Sequence, residues 1–367
     1  MTSMTVEPRE AVASRQIIVG VDTHKYAHVP VAVDHLGARL AARHVAANRE
    51  GYAQLEAWAA ALAGGGRVIA YGVEGTGSYG VGLASFLRRG GHRVVEVNRG
   101  DRRGRRSNGK SDTLDAEAAA RAVLGGQAVA TPKSADGTAE MIRQIKIARD
   151  TARKARTSAM ITLKALIVTV PAELREQLAG LSDKVLIERC ASLRPGAVTS
   201  AKHALRTLAK RYRALDTEIA DHDTILDDLT RSHAPTLREA LGIGADTAAE
   251  MLIVFGDNPD RVRSEAAFAK LCGTSPIPAS SGLTNRHRLS RAGHREANAA
   301  LYRTVIVRMR FHQPTTDYVT RRSAEGLSKR DIIRCLKRYL AREVYQRVMT
   351  DHHARQRPQA QAIHAKS

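Results

Sequence analysis

Four carboxylates stand where they could share divalent metal ions. Asp22 closes the apolar run Ile17-Ile18-Val19-Gly20-Val21, and Glu74 closes the run from Val68 to Val73. Asp112 and Asp115 lie three residues apart in Lys110-Ser111-Asp112-Thr113-Leu114-Asp115-Ala116. Phosphoryl transfer by two metals needs carboxylates that bridge ions about 3.5–4 Å apart, and hard magnesium takes oxygen ligands. Residues i and i+3 share a helix face with Cβ atoms about 5–6 Å apart, so Asp112 and Asp115 can serve one site. The same pair also fits a plainer role, with Asp112 as N-cap and Asp115 as its N3 partner at the start of a helix through Leu124. Capping accounts for those two residues and leaves Asp22 and Glu74 unexplained.

A second candidate is Gly273-Thr274-Ser275-Pro276-Ile277-Pro278-Ala279-Ser280-Ser281-Gly282, followed by Arg286, His287, Arg288 and Arg291. A serine hydroxyl needs a base or metal to become a nucleophile, and nearby arginines would stabilise charge growing on an attacked phosphate. By composition alone, Ser-Ser-Gly is also an ordinary turn.

The elements that must position these groups follow from hydrophobic patterning. Gln16–Asp22 reads as a strand buried on both faces, Tyr26–Val33 as a half-buried strand and Leu40–Ala46 as a third. Gly51–Leu62 is helical by apolar spacing, Arg67–Val73 a strand, Gly80–Leu87 a helix and His92–Val97 a strand. This is the order of a ribonuclease-H-like domain, in which the first and fourth strands lie parallel at the centre of the sheet. Their carboxyl ends, where open α/β sheets place ligands, are Asp22 and Glu74.

Heptad spacing follows, through Met141, Ile145, Ala148, Ala152, Ala155, Ala159, Thr162 and Leu166. It returns through Leu205, Leu208, Tyr212, Leu215, Ile219, His222, Leu226 and Leu229. The expectation is two long helices paired as a coiled coil, or an ordinary bundle, separated by an irregular stretch from Pro171 to about Pro195. Gly242-Ile243-Gly244 is either a helix-hairpin-helix turn that faces a phosphate or a plain helix connection. The polar, basic tail from Asp351 is expected to be disordered.

The formal net charge is +21, and residues 261–350 hold 19 Lys/Arg against 6 Asp/Glu. Such an excess favours a polyanionic partner, DNA or RNA, over a metabolite. Arg102, Arg103, Arg105 and Arg106, in the loop between the last strand and the Asp112 helix, could track a phosphate backbone. The isolated Cys190, Cys272 and Cys335 support neither disulfides nor a zinc site. With no secretory signal and no membrane-length apolar run, a cytoplasmic location is expected.

These residues resemble the DEDD-type transposases of bacterial insertion sequences, family one-ten, which are related to the pilin-gene-inverting recombinases. The resemblance runs from about Ile17 to Val348. It rests on Gly20-Val21-Asp22, on Glu74-Gly75-Thr76-Gly77-Ser78-Tyr79, on Lys110 to Ala116, and on Gly242-Ile243-Gly244. It continues through Ser280-Ser281-Gly282 and the run Gly326-Leu327-Ser328-Lys329-Arg330 to Arg342-Glu343. Many members have Gly-Asn where this chain has Gly293-His294.

The resemblance implies an α/β plus α architecture. Its parts would be a RuvC-like mixed-sheet domain over 14–127, a coiled-coil helical region over 128–232, a mainly helical transposase domain over 233–350, and the tail 351–367. It also implies that Asp22, Glu74, Asp112 and Asp115 bind Mg2+, with a two-ion site and Mn2+ as the alternative ion. Ser281, directly before Gly282, would be the nucleophile, with Ser280 its neighbouring alternative. The implied partners are donor and target DNA, a structured noncoding bridge RNA that guides pairing with both, and further copies of the chain, from dimer to tetramer. In the family, the RuvC-like domain of one protomer completes the serine site of another. A phosphoserine link would conserve the energy of the broken phosphodiester, consistent with a chain that has no Walker-type loop. The rival readings are a metal-dependent nuclease or Holliday-junction resolvase that uses water, and a nucleic-acid-binding protein without catalysis.

Overall fold

The computed structural model describes residues 15–98, 111–194, 199–282, 287, 288, 290 and 292–364. Arg102, Arg103, Arg105, Arg106, Arg286 and Arg291 lie outside the described residues. Two compact units divide the chain, residues 1–135 and 136–367.

In the first unit, β1 (Gln16–Thr23), β2 (Ala27–Asp34), β3 (Arg39–Ala42), β4 (Val45–Ala46), β5 (Arg67–Glu74) and β6 (Val94–Val97) form one mixed sheet. Its order is β3-β2-β1-β5-β6, with β4 also on β2. The parallel pair β1 and β5 is central, as the pattern of two apolar runs ending in carboxylates requires. Helices α1 (Arg49–Ala63), α2 (Val81–Arg89) and α3 (Asp112–Leu124) complete the unit.

Two expectations are corrected here. The third strand is split into β3 and β4. β2 is buried from His28 to Val33 rather than half buried, because Ala32 packs with Leu55 and Ala59 of α1 while Val33 packs with Ala120 of α3 on the other face.

How close α3 approaches the sheet is set by two glycines. Gly20 of β1 and Gly72 of β5 are register partners, so together they make a bed without side chains at the sheet centre. α3 lies on it with the small residues Ala116, Ala119 and Ala120, all buried. A Cβ on Gly20 would stand 2.0 Å from the Ala116 carbonyl oxygen and 2.4 Å from the Ala120 nitrogen. Backbone cannot give way as a side chain can, so the helix itself would have to move. Gly20→Ala is therefore expected to destabilise the first unit by about 1–3 kcal/mol, the usual range for overpacking a tight core. Thermal unfolding checks this, and an unchanged midpoint would show that α3 is not seated on that glycine.

The second unit is built on a pair of long helices, α4 (Thr138–Thr169) and α7 (Thr199–His233). At their far end α5 (Ala172–Leu178) and α6 (Asp183–Ala191) fill the stretch expected to be irregular. They pack Leu174, Leu178, Leu186, Ile187 and Cys190 against Leu163, Leu205 and Ala209.

The expected seam of α7 is inward, with Leu205, Ile219 and Leu226 buried. That of α4 is displaced at its start, where Met141 is exposed and Ile142 is fully buried. The inner stripe there includes Lys146 and Arg149, charged residues that hydrophobic spacing assigns to solvent. Lys146 Nζ reaches Asp150 and Asp246 at 2.9 Å and Glu250 at 3.0 Å, and Arg149 pairs with Asp223 and Asp246. Buried charge is tolerated only when paired in this way.

The remainder comprises α8 (Pro235–Arg238), α9 (Ala245–Phe255), α10 (Glu265–Leu271), α11 (Arg295–Phe311), α12 (Gln313–Ala324) and α13 (Lys329–His364), with a short hairpin of β7 (Ile277–Pro278) and β8 (His287–Arg288). Gly242, at φ +81°, makes the turn before α9. Its carbonyl accepts from Thr304 Oγ1 at 3.2 Å and that of Leu241 from Arg308 Nε at 2.8 Å, so the turn is docked on α11 as a helix connection.

The disordered tail expected from Asp351 is also corrected, since α13 continues to His364. Asp351 is buried and accepts from the backbone N–H groups of Thr236 and Leu237, satisfying the otherwise open start of α8.

Candidate active site

β1 and β5 deliver Asp22 and Glu74 to the same edge because the strands are parallel and in register, and Thr23 Oγ1 ties the ends together by donating to the Glu74 carbonyl at 3.0 Å. Gly75, at φ +60°, turns the chain immediately beyond Glu74. α3 brings Asp112 and Asp115 from above. All four carboxylates line one cleft of about 580 Å3, together with His24, Glu96 and Asn98.

Capping does not explain the α3 pair. Ser111 is the N-cap, its Oγ accepting from Leu114 N at 3.3 Å. Asp112 and Asp115 thus sit at the first and fourth helical positions, where their carboxylates face the cleft.

His24 was missed by sequence reasoning. Its Nε2 lies 3.2 Å from Asp22 Oδ2 and 3.4 Å from Asp112 Oδ2, and one ligand atom from each of the three residues fits within 4.8 Å. The signal was present: two residues beyond Asp22, a strand returns to the same face. Burial pushes the Asp22 carboxyl above its ordinary value, the charges of Asp112 and Asp115 push it the same way, and His24 opposes them. A group of mutually repelling acids, one of them buried, with an imidazole nitrogen drawn in among them, is a donor set that a divalent cation would relieve.

The serine segment belongs to the second unit. Ile277 pairs with Arg288 and Pro278 with His287, so Ser280, Ser281 and Gly282 lie in the hairpin's loop, and Ser281 is exposed. Gly282 has φ +55° with open space where a Cβ would be, so its backbone conformation is what requires glycine. Arg288 is described and exposed.

The base of the hairpin is held firmly. Asn298 Nδ2 donates to the carbonyls of Cys272 at 2.8 Å and Gly273 at 3.0 Å, while its Oδ1 accepts from Lys337 Nζ at 2.9 Å. His294 Nδ1 accepts from Ala297 N at 3.3 Å as the N-cap of α11. It thereby does the work that asparagine would do at that position.

A family model described as Transposase, of the DEDD IS110 type, matches residues 19–170. A second, described as Transposase IS116/IS110/IS902 family, matches residues 234–321, and the two together cover well over half of the chain. This chain belongs to the IS110 family of transposases. It is also 30% identical over 138 residues to the insertion element IS900 uncharacterized 42 kDa protein of Mycobacterium paratuberculosis. That match covers 37% of this chain and 34% of the relative, so it spans about a third of the relative's length. The first family model contains Asp22, Glu74, Asp112 and Asp115, and the second contains Ser281. Among the described residues, no helix of this IS110 family member is long and apolar enough to cross a membrane.

Proposed function

We propose that this protein is an insertion-sequence transposase that cleaves and exchanges DNA strands, with a metal-binding RuvC-like unit and a nucleophilic serine in the helical unit. The meeting of Asp22, Glu74, Asp112 and Asp115 in one cleft of an IS110 family member carries this reading. In it the four carboxylates, with His24 at hand, hold Mg2+ or Mn2+. A bound pair of divalent ions would supply Lewis acidity at the attacking and leaving oxygens of a phosphodiester.

The remaining roles belong to the chain. Thr23 and the glycine bed keep the carboxylates at fixed separation, which is the pre-organisation such a site needs. Ser281 Oγ attacks phosphorus, one P–O ester bond forming as another breaks and the leaving oxygen taking up a proton. The bond energy is thus retained for strand exchange. The excess of positive charge suits DNA together with a structured bridge RNA, and the working form is a homo-oligomer, dimer to tetramer. In this reading, base pairing by the RNA carries the target sequence while the protein recognises backbone and duplex shape.

Metal binding is testable without activity. Ligands that bind only the folded state raise the unfolding midpoint by mass action. Millimolar Mg2+ or Mn2+ is expected to raise the midpoint of the full chain, and Asp22→Asn to abolish the rise. In parallel, cleavage of DNA bearing the element's ends should require divalent metal, be lost with chelator, and require the element's RNA. Cleavage that persists in chelator would refute the metal role, and cleavage at the normal site without RNA would refute guidance.

A further inference from the structure

Beside the serine hairpin is a cavity of about 350 Å3, lined by Ser275, Arg288, Arg334, Lys337, Arg338 and Tyr339 among others. Its position follows from the Asn298 bonds, which fasten the start of the hairpin to Lys337 of α13. Its charge is one-sided. Among the described residues four cations line it against one carboxylate, Asp331, which is already engaged with Ser328 Oγ at 2.6 Å and with Arg334 at 2.8 Å.

Two of the cations are unusual. Lys337 is only 8% exposed, and the partner its ammonium has is neutral, the Asn298 amide oxygen. Burial, and then Arg334, hold that ammonium below its ordinary value. Arg338 Nη1 is buried with no hydrogen-bond partner among the described residues. A buried guanidinium nitrogen without an acceptor is costly, and a buried ammonium without a counter-charge more so. The cavity is large enough for one nucleotide-sized group.

We propose that this cavity is a phosphate-binding pocket for a nucleic-acid strand, with Lys337 and Arg338 as the groups that hold the anion. The inference rests on the nucleic-acid reading above but not on serine chemistry. A phosphodiester oxygen would accept a hydrogen bond from Arg338 Nη1 and give Lys337 an anionic partner. Arg288 and Arg334 at the rim would take the adjoining phosphate charge. Lys337 and Arg338 would thus be positioning residues, fixing a strand beside the loop that carries Ser281.

The test is equilibrium binding of the full chain to matched single-stranded DNA, duplex DNA and single-stranded RNA, measured across salt concentration. Each phosphate contact contributes about one unit to the log–log salt slope. Lys337→Gln and Arg338→Gln are each expected to reduce the slope by about one and weaken binding uniformly across sequences, while Lys337→Arg keeps the slope. The nucleic acid with which the change occurs identifies the strand seated in the pocket. Arg175→Gln, a charge loss on the exposed surface of α5, is the control.

Should Lys337→Gln unfold, Arg338→Gln carries the test, since its Nη1 has no partner to lose. Unchanged slopes for all three nucleic acids, or an equal change in Arg175→Gln, would overturn the proposal. The same titrations on Ser281→Ala keep the two readings apart, because failure of the serine mechanism removes a covalent adduct and leaves these slopes as they are.

Discussion

Asp112→Asn should abolish metal-dependent strand cleavage while costing α3 at most about 1 kcal/mol of stability. Because Ser111 is the N-cap, the substitution touches no capping bond. It removes one acid from the first turn of the helix, a loss of about 0.3–1 kcal/mol of dipole interaction at an exposed position. Substitutions outside a metal's own ligands already cost about 10–100-fold in affinity or activity, so loss of a ligand is expected to exceed 100-fold.

Ser111→Ala should do the reverse, lowering the unfolding midpoint through a cap worth about 1 kcal/mol while the folded fraction keeps its activity. Cleavage rates and midpoints measured on both variants make a double dissociation. Normal cleavage by Asp112→Asn would reduce the acidic cluster to a structural feature of the first turn.

Ser281→Ala should eliminate the protein–DNA adduct and strand exchange together. Removing a covalent nucleophile costs on the order of 10^4–10^6-fold in enzymes that depend on one. The hydroxyl lies in an exposed hairpin loop, so stability should change by less than about 0.5 kcal/mol. Denaturing gels of protein incubated with labelled DNA, guide RNA and metal would show the adduct for the native chain and for Ser280→Ala. Since the carboxylates and the serine belong to different units, residues 1–135 and 136–367, neither unit alone should form it. Normal cleavage by Ser281→Ala, with no adduct in either protein, would leave water as the nucleophile and make the protein a nuclease.

Much of the first unit could be read from the sequence because its signals are local. A short, continuous run rich in isoleucine and valine that ends in Asp22 reads as a strand covered on both sides, and a second such run ending in Glu74 is its natural parallel neighbour. His24 shares a strand face with Asp22, but a lone histidine there is singled out only when the approach of α3 adds Asp112 as its second carboxylate. The Ser111 cap was overlooked for a related reason, as Ser111 and Asp112 are both good caps and sequence cannot choose between adjacent ones.

In the second unit the seam of α4 was misplaced by one residue at Met141 because apolar spacing cannot anticipate a lysine and an arginine turned inward. Lys146 and Arg149 are buried only because Asp223, Asp246 and Glu250 arrive from α7 and α9. The tail was misjudged at Asp351, whose polarity signalled solvent but whose carboxylate closes another helix.

The long pair α4 and α7 is fastened unequally along its length. With 32 residues, α4 is about 48 Å long. Its base joins the ionic cluster and the large apolar core of the second unit through Ile142, and its tip joins the leucine-rich core around Leu163. Between them Ala152, Ala159 and Ile219 are buried yet belong to neither core, with Arg156 bridging to Asp216 at the surface. Alanines fill little volume, so this middle span has the least cohesion per turn. The pair is therefore a rod with an end built into each core and a more lightly packed waist between them. A tip carried on such a waist can adjust its angle to a second copy of the chain without disturbing the hairpin that presents Ser281.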